Sequence, residues 1–413
     1  MKKFVIAQIG CGAFAEFQDL PNFTANPRST VKYCCDISLD RARQIAAKFH
    51  VPFAVDRLET VLDDPEVDII KIATSHEAHR PIIESAAARG KHIICEKPMA
   101  LEEAEAFAIM RAARKHKVKL AVDMNRRMAP AMKALRDRFR AHLAHPEFNP
   151  WRYIETDRPL LPEEKYSQFY LNIQDESSSY RMIHLDPATG GGIIMGETVH
   201  WLDLACWFFA PQHPVEITAW GSPRLTHGIH LKFESGDSAT ISYSSGGTFD
   251  YPKETFYATA NGVMFRNDFF VENNYYGIPG NPREIFALQR DPLPAVGTEG
   301  GLSGYLAKYH AAMAKTRDKR AILGAAVVDK GHTAVIDGFF DAIENNTPSP
   351  CDESAGWIAV YLARLAIKSI ELRQTLPVGI EKLEPALLYR VDRHQDATPN
   401  FEFGVAFSRI VYY

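Results

Sequence analysis

The apolar run Phe4-Val5-Ile6-Ala7-Gln8-Ile9 has the length of a buried strand and leads directly into Gly10-Cys11-Gly12-Ala13-Phe14-Ala15. A strand that ends in Gly-x-Gly-x-x-Ala and opens a helix is the strongest constraint in this chain. Gly10 permits a tight turn, Gly12 lets the backbone approach a pyrophosphate, and Ala15 keeps helix and strand close. The backbone of Ala13 and Phe14 begins the helix, whose free N–H groups and partial positive charge suit phosphates. Small-residue turns occur in many α/β proteins, so the turn needs support from elsewhere in the chain.

The alternation that follows provides it. Strand patterns at Phe4–Ile9, Thr30–Cys35, Ile69–Ala73, His92–Cys95 and Leu120–Asp123 are separated by amphipathic helices, clearest at Leu39–Phe49, Pro81–Arg89 and Glu102–His116. Strand and helix in turn predict a parallel sheet with crossover helices. From about Arg126 the texture changes. A helix (Pro130–Leu143) is followed by a loop-rich stretch from Asn149 to Gly192 and a helix over Glu197–Phe209. Short alternating runs then predict an antiparallel meander over Val215–Asn267, with turns at Glu234-Ser235-Gly236-Asp237 and Asn261-Gly262. Gly277–Gly304 is poorly patterned, and helices are expected at Thr333–Asn345 and Ser354–Leu372. The fold class is thus an α/β Rossmann domain (1–125) followed by an α+β domain with a large, mostly antiparallel open sheet (126–376). A C-terminal extension (377–413) ends in the aromatic run Phe401–Tyr413.

Among 413 residues the net charge is −4, without the basic excess of a nucleic-acid binder. The six cysteines form neither a CxxC pair nor a zinc spacing, so no metal site is expected, and four lie in apolar runs. That usage fits a reducing compartment. No apolar run reaches the ~18 residues of a membrane span. A soluble cytoplasmic protein is expected.

Asp36, at the end of the second strand, stands where a carboxylate accepts hydrogen bonds from an adenosine ribose and repels a 2′-phosphate. NAD is expected over NADP, although Arg41 lies close enough to receive a phosphate; Asp36 as a helix N-cap is the competing reading. Glu96-Lys97-Pro98 places a charged pair at the carboxyl end of a parallel strand, where open α/β sheets bind ligands. Lys97 there is suited to hydrogen-bond a substrate hydroxyl, or is simply a surface lysine paired with Glu96.

Together with Ile72-Ala73-Thr74-Ser75, His79, Gly90-Lys91-His92, Asn125-Arg126-Arg127, Gly190-Gly191-Gly192, His200 to Asp203, and Lys330-Gly331-His332, these residues resemble the Gfo/Idh/MocA oxidoreductases. That family takes its name from glucose–fructose oxidoreductase and inositol dehydrogenase. The resemblance covers roughly residues 3–375. It implies a nicotinamide at the domain junction and a sugar, polyol or related secondary alcohol as substrate. It also implies that Thr74, His79, Glu96 and Lys97 serve the cofactor side. Lys97 corresponds to the family's active-site lysine and His200 to its catalytic histidine, although on its own His200 beside Trp201 reads as a core residue. Many members carry aspartate where this chain has Gly196; here Gly196-Glu197-Thr198-Val199-His200 resembles a Gly-Glu-x-x-His branch. Glu197 is then a candidate to contact a substrate hydroxyl or orient a base, or it merely starts the helix. Asn125, Arg126, Arg127 and His184 are further candidates for substrate contact, one of the arginines being as well suited to a structural salt bridge.

Three functions are compatible with this reading. The first is an NAD-dependent dehydrogenase or reductase of a sugar or cyclitol. The second is an NAD-dependent glycoside hydrolase that oxidises C3 transiently, eliminates the aglycone and regenerates NAD. The third is a non-catalytic dinucleotide-binding homologue, against which the presence of both Lys97 and His200 speaks. A homodimer or homotetramer is expected by family analogy.

Overall fold

The structure is a computed structural model that describes residues 3–145, 166–175, 185–186, 190–248, 250–290, 293–296, 300–317, 322, 324 and 327–379. His184 and the run Phe401–Tyr413 lie outside the described residues.

Six strands form the first sheet: β1 (Phe4–Ile9), β2 (Ser29–Cys35), β3 (Phe53–Val55), β4 (Ile69–Ile72), β5 (His92–Cys95) and β6 (Leu120–Val122). All neighbours pair in parallel, in the order β3-β2-β1-β4-β5-β6. Both faces are covered, which is why β4 and β5 read as nearly unbroken apolar runs. The crossovers carry α1 (Leu20–Ala25), α2 (Leu39–Phe49), α3 (Leu58–Leu62), α4 (His79–Ala88) and α5 (Glu103–Lys115). Strand order reverses between β1 and β4, and that reversal opens a crevice at the carboxyl ends of the strands. The three-residue β3 was too short to show as a pattern.

The second sheet has nine strands. After α6 (Pro130–Ala144) come β7 (Gln168–Gln174), α7 (Val199–Phe209), β8 (Pro214–Gly221), β9 (His227–Phe233), β10 (Ser238–Ser244), β11 (Glu254–Ala260), β12 (Val263–Asp268), β13 (Glu272–Tyr276) and β14 (Arg283–Ile285). A small ribbon, β15 (Leu288–Arg290) and β16 (Leu293–Val296), and α8 (Gly301–Lys315) precede the last helices. These are α9 (His332–Glu344) and α10 (Glu353–Leu372), with a short edge strand β17 (Leu376–Pro377).

The expected meander is interrupted. β7 lies in the middle of the sheet, parallel to β10 and antiparallel to β11, although it falls in the stretch read as loop. Gln168-Phe169-Tyr170-Leu171-Asn172-Ile173-Gln174 alternates strictly, and Phe169, Leu171 and Ile173 face the core. The loop-like composition on either side obscured that period. Likewise α8 begins inside the glycine-rich region. On the edge, β8 and β9 pair across Trp220 and Gly228, where the indole covers the bare glycine.

Of the two late helices, α10 binds the layers together and α9 packs on the first. α10 is buried along most of its length, packing on α5 and β6 of the first domain and on α7 and β8 of the second. Asp352 caps it by accepting from the N–H groups of Ser354 and Ala355. α9 turns Ile336, Phe339 and Phe340 onto the apolar face of the first sheet, and Phe340 stacks on Phe4 with ring centroids 4.7 Å apart. Arg28 ties the same helix by ion pairs to Asp341 and Glu344.

Candidate active site

The glycine turn lies at the switch in strand order. Gly10 has φ +84°, and a Cβ there would stand 2.3 Å from the carbonyl oxygen of Ala73 at the end of β4. Position 10 thus excludes a side chain twice, by its backbone conformation and by contact. Gly12 differs: a Cβ there meets nothing, because the residue faces the open crevice. Gly12, Ala13 and Phe14 are exposed, whereas Ala15 is buried against the sheet. The helix then runs through a wide π-helical turn, Ala15–Asp19, into α1.

Asp36 joins the two sides of this turn. Its Oδ2 accepts from the N–H of Cys11 at 2.8 Å and its Oδ1 from the N–H of Ser38 at 2.9 Å. The cap of α2 is Ser38, which accepts from the N–H of Arg41, so Asp36 is not the N-cap. Thr74 faces Gly10 from the end of β4. The bare, outward Gly12 backbone, the open helix start and the carboxylate of Asp36 fit a dinucleotide laid across the crevice.

Beneath the turn lies a buried charge cluster that sequence reasoning missed. Lys71 of β4 donates to Glu96 at 2.6 Å and has Asp19 at 3.2 Å and Asp123 at 3.6 Å. Oxygens of the three acids lie within 4.8 Å of one another, and the Lys71 ammonium provides the positive charge among them. Burial outweighs Lys71 at Asp19 and raises its carboxyl to about 6, and burial raises Glu96 strongly as well. The signal was available in Ile69-Ile70-Lys71-Ile72, where a lone ammonium inside a buried strand requires carboxylate partners. Glu96, expected on the cofactor side, thus has one carboxylate oxygen on Lys71.

His79, also expected on the cofactor side, lies inside the first domain. Fully buried, its Nδ1 lies 3.0 Å from the carbonyl oxygen of Pro98, and burial lowers its pKa to about 4. It braces the Glu-Lys-Pro turn from within. Asn125 is held by the segment before α9: its amide donates to the carbonyl oxygen of Lys330 and meets His332 Nε2 at 3.1 Å. Arg127 spends its guanidinium on buried Asp203, one turn along the helix from His200. This is the structural salt bridge foreseen for one of the two arginines. Arg126 stays beside the site, but Glu254 holds it through two hydrogen bonds of 2.6 and 3.1 Å.

What remains at the mouth is compact. Lys97 Nζ donates to Glu197 Oε1 at 2.7 Å and to the carbonyl oxygen of Gly196 at 2.6 Å. The other oxygen of Glu197 is 3.8 Å from Lys253, which pairs with Asp175. Burial opposes the charge of Glu197, but Lys97 and Lys253 outweigh it and hold the acid down to about 2. Glu197 therefore reaches across to the lysine turn of the other domain, a role beyond starting a helix. Its segment, Ile194–Thr198, is a second wide π-helical turn, a form frequent at functional sites. His200 follows on α7, buried, with no partner for Nδ1 among the described residues. Burial first, then the charges of Arg126, Lys97, His332 and Lys253, push its pKa well below 6.5, so the imidazole is neutral. Glu254 closes the floor, accepting from Arg126, from Lys330 at 2.6 Å and from the Trp201 indole at 3.0 Å. Burial lowers Lys330 to about 8. Lys253, Glu254 and Asp175 escaped the sequence reading because no local spacing marks residues that meet only through sheet pairing.

Residues 4–124 match the model of an oxidoreductase family with an NAD-binding Rossmann fold, GFO_IDH_MocA. Over that N-terminal stretch the chain is similar to the Gfo/Idh/MocA oxidoreductases. Among curated relatives of this kind, the uncharacterized oxidoreductase YrbE of Bacillus subtilis is 24% identical over 93% of this chain and 98% of its own length. A 1,5-anhydro-D-fructose reductase from Ensifer adhaerens is 28% identical over 48% of this chain, which spans 57% of that relative. In fold, the chain is similar to the aldose-aldose oxidoreductase of Caulobacter crescentus, solved with glycerol. The TM-score is 0.69, with 17% identity over 91% of this chain and all of that one. That likeness in fold extends over both sheets.

Proposed function

We propose that the protein is an NAD-dependent oxidoreductase acting on a secondary hydroxyl of a sugar, cyclitol or sugar derivative. The observation that carries this reading is the junction of Lys97, Glu197 and neutral His200 at the crevice that the glycine turn opens. A bound nicotinamide would supply hydride-acceptor and hydride-donor chemistry toward a carbinol carbon or its carbonyl. The chain's own groups handle the oxygen and its proton. Two of the three N–H bonds of the Lys97 ammonium go to Glu197 and Gly196, which fixes the direction of the third. A substrate oxygen placed there gains a charge-assisted hydrogen bond that strengthens as alkoxide character develops. His200, neutral and without a carboxylate partner, is the proton acceptor in oxidation and the donor in reduction. Glu197, ionised between two ammoniums, accepts from a neighbouring substrate hydroxyl, and Arg126 and Lys330 frame the same pocket through Glu254. On the cofactor side, Gly10, Gly12, Ala13, Phe14, Ala15, Asp36 and Thr74 hold the dinucleotide, with NAD preferred to NADP because the carboxylate of Asp36 meets the ribose.

Names of relatives that include an anhydrofructose reductase support a carbohydrate substrate. A cytoplasmic location agrees with six unbridged cysteines and with the absence of a membrane-spanning helix among the described residues. Outward Trp220 and Tyr276 on the second sheet support a homodimer or homotetramer, which light scattering tests. Function itself is tested by incubating the protein with NAD and a panel of sugars and cyclitols while following the absorbance of reduced nicotinamide. Substrate-dependent reduction is expected. Aglycone release from glycosides that needs NAD yet accumulates no NADH would replace this reading with transient C3 oxidation.

A further inference from the structure

Arg41 stands one turn into α2, next to the ribose-facing carboxylate of Asp36, and is an evident candidate to bind a phosphate. Its guanidinium is nevertheless committed on three sides. Nε donates to the carbonyl oxygen of Cys11 at 2.7 Å, Nη2 to Glu16 Oε2 at 2.7 Å, and Nη1 to Gln44 Oε1 at 2.9 Å. The second oxygen of Glu16 takes Lys48 at 2.7 Å. One carboxylate on the first turn after the glycine loop therefore neutralises both cations on the facing side of α2. Glu16 is itself ionised, because hydrogen bonds from Lys48 and then Arg41 hold it below the usual carboxylate range.

We propose that Glu16 is a specificity-determining residue that excludes NADP by clamping Arg41 against the glycine turn. A 2′-phosphate brings nearly two negative charges and binds through a free guanidinium. In this pocket it finds Asp36 facing it and Arg41 already paired, so the arginine that would rescue NADP binding is withheld. Asp36 repels the phosphate directly; Glu16 acts through Arg41. The inference rests on the dinucleotide reading above.

The test is calorimetric titration of the full-length protein with NAD and with NADP, which needs no turnover. The wild type binds NAD at least about tenfold more tightly than NADP. In Glu16→Gln, which keeps the shape and removes the charge, the NADP-to-NAD affinity ratio rises about tenfold. The rise disappears in the double variant Glu16→Gln with Arg41→Met, which shows that the released arginine causes it. Arg41→Met alone provides a check that does not depend on the folding of the Glu16 variants: with the clamp closed, NADP affinity changes by less than about threefold. A folded Glu16→Gln protein with an unchanged ratio overturns the clamp. So does a large loss of NADP affinity in Arg41→Met, because the arginine would then already serve the phosphate. Failure of the wild type to bind either dinucleotide overturns the cofactor reading itself, and the clamp with it.

Discussion

At the scale of single residues, charge placement decides the chemistry. His200 is surrounded by cations and buried, so its folded-state pKa lies below that of a free imidazole. The neutral base is the form present above that lowered value, and it persists as pH falls from 8 to 6. The rate of alcohol oxidation at limiting substrate, kcat/KM, should therefore show no acid limb centred near 6.5. A limb there that vanishes in His200→Gln would contradict the assignment. Which residues line the crevice was only partly legible in the sequence. Lys97 could be singled out because it follows a strand end, and His200 only through the family resemblance, since beside Trp201 it reads as a core residue. The true partners of Glu96, Asn125 and Arg127 could not, because those contacts are set by groups far along the chain. The apolar frame around Lys71 was the one local warning that a buried carboxylate cluster had to exist.

At the scale of elements, the glycine turn supplies a pair of contrasting predictions. Gly10→Ala places a methyl group against the backbone of Ala73 in a left-handed conformation, so it should destabilise the fold by roughly 2–4 kcal/mol. Gly12→Ala meets no protein atom, so thermal denaturation should shift by no more than about 2 °C. It should nonetheless weaken NAD binding at least about tenfold, because the added methyl occupies the space the pyrophosphate needs. Equal stability losses in both variants would deny that Gly12 faces a ligand. The first sheet was readable because buried parallel strands separated by amphipathic helices leave two clear periods. β7 was not, since seven alternating residues stand in a stretch whose composition resembles loop, and its place between β10 and β11 is set by long-range pairing.

At the scale of the whole molecule, chain order and spatial order diverge. α9 comes more than 200 residues after the last strand of the first sheet, yet Ile336, Phe339 and Phe340 complete the core under Phe4 and Ile6. Phe340→Ala should cost about 3–5 kcal/mol in chemical denaturation, with melting of both sheets together. Separate transitions, with only that of the first sheet affected, would show that the two sheets do not melt as one. The same coupling brings Lys97, from the end of β5, to Glu197 in the wide turn before α7, so the site exists only when the two sheets are docked.

The central claim is that Lys97 acts on the substrate oxygen at this junction without being needed to hold the dinucleotide. Its most direct test is Lys97→Ala, measured both for NAD affinity by calorimetry and for turnover of whichever sugar or cyclitol the wild type oxidises. Turnover should fall by about 100- to 1000-fold while NAD affinity stays within about threefold. Turnover close to that of the wild type, or loss of NAD binding in step with turnover, would contradict it.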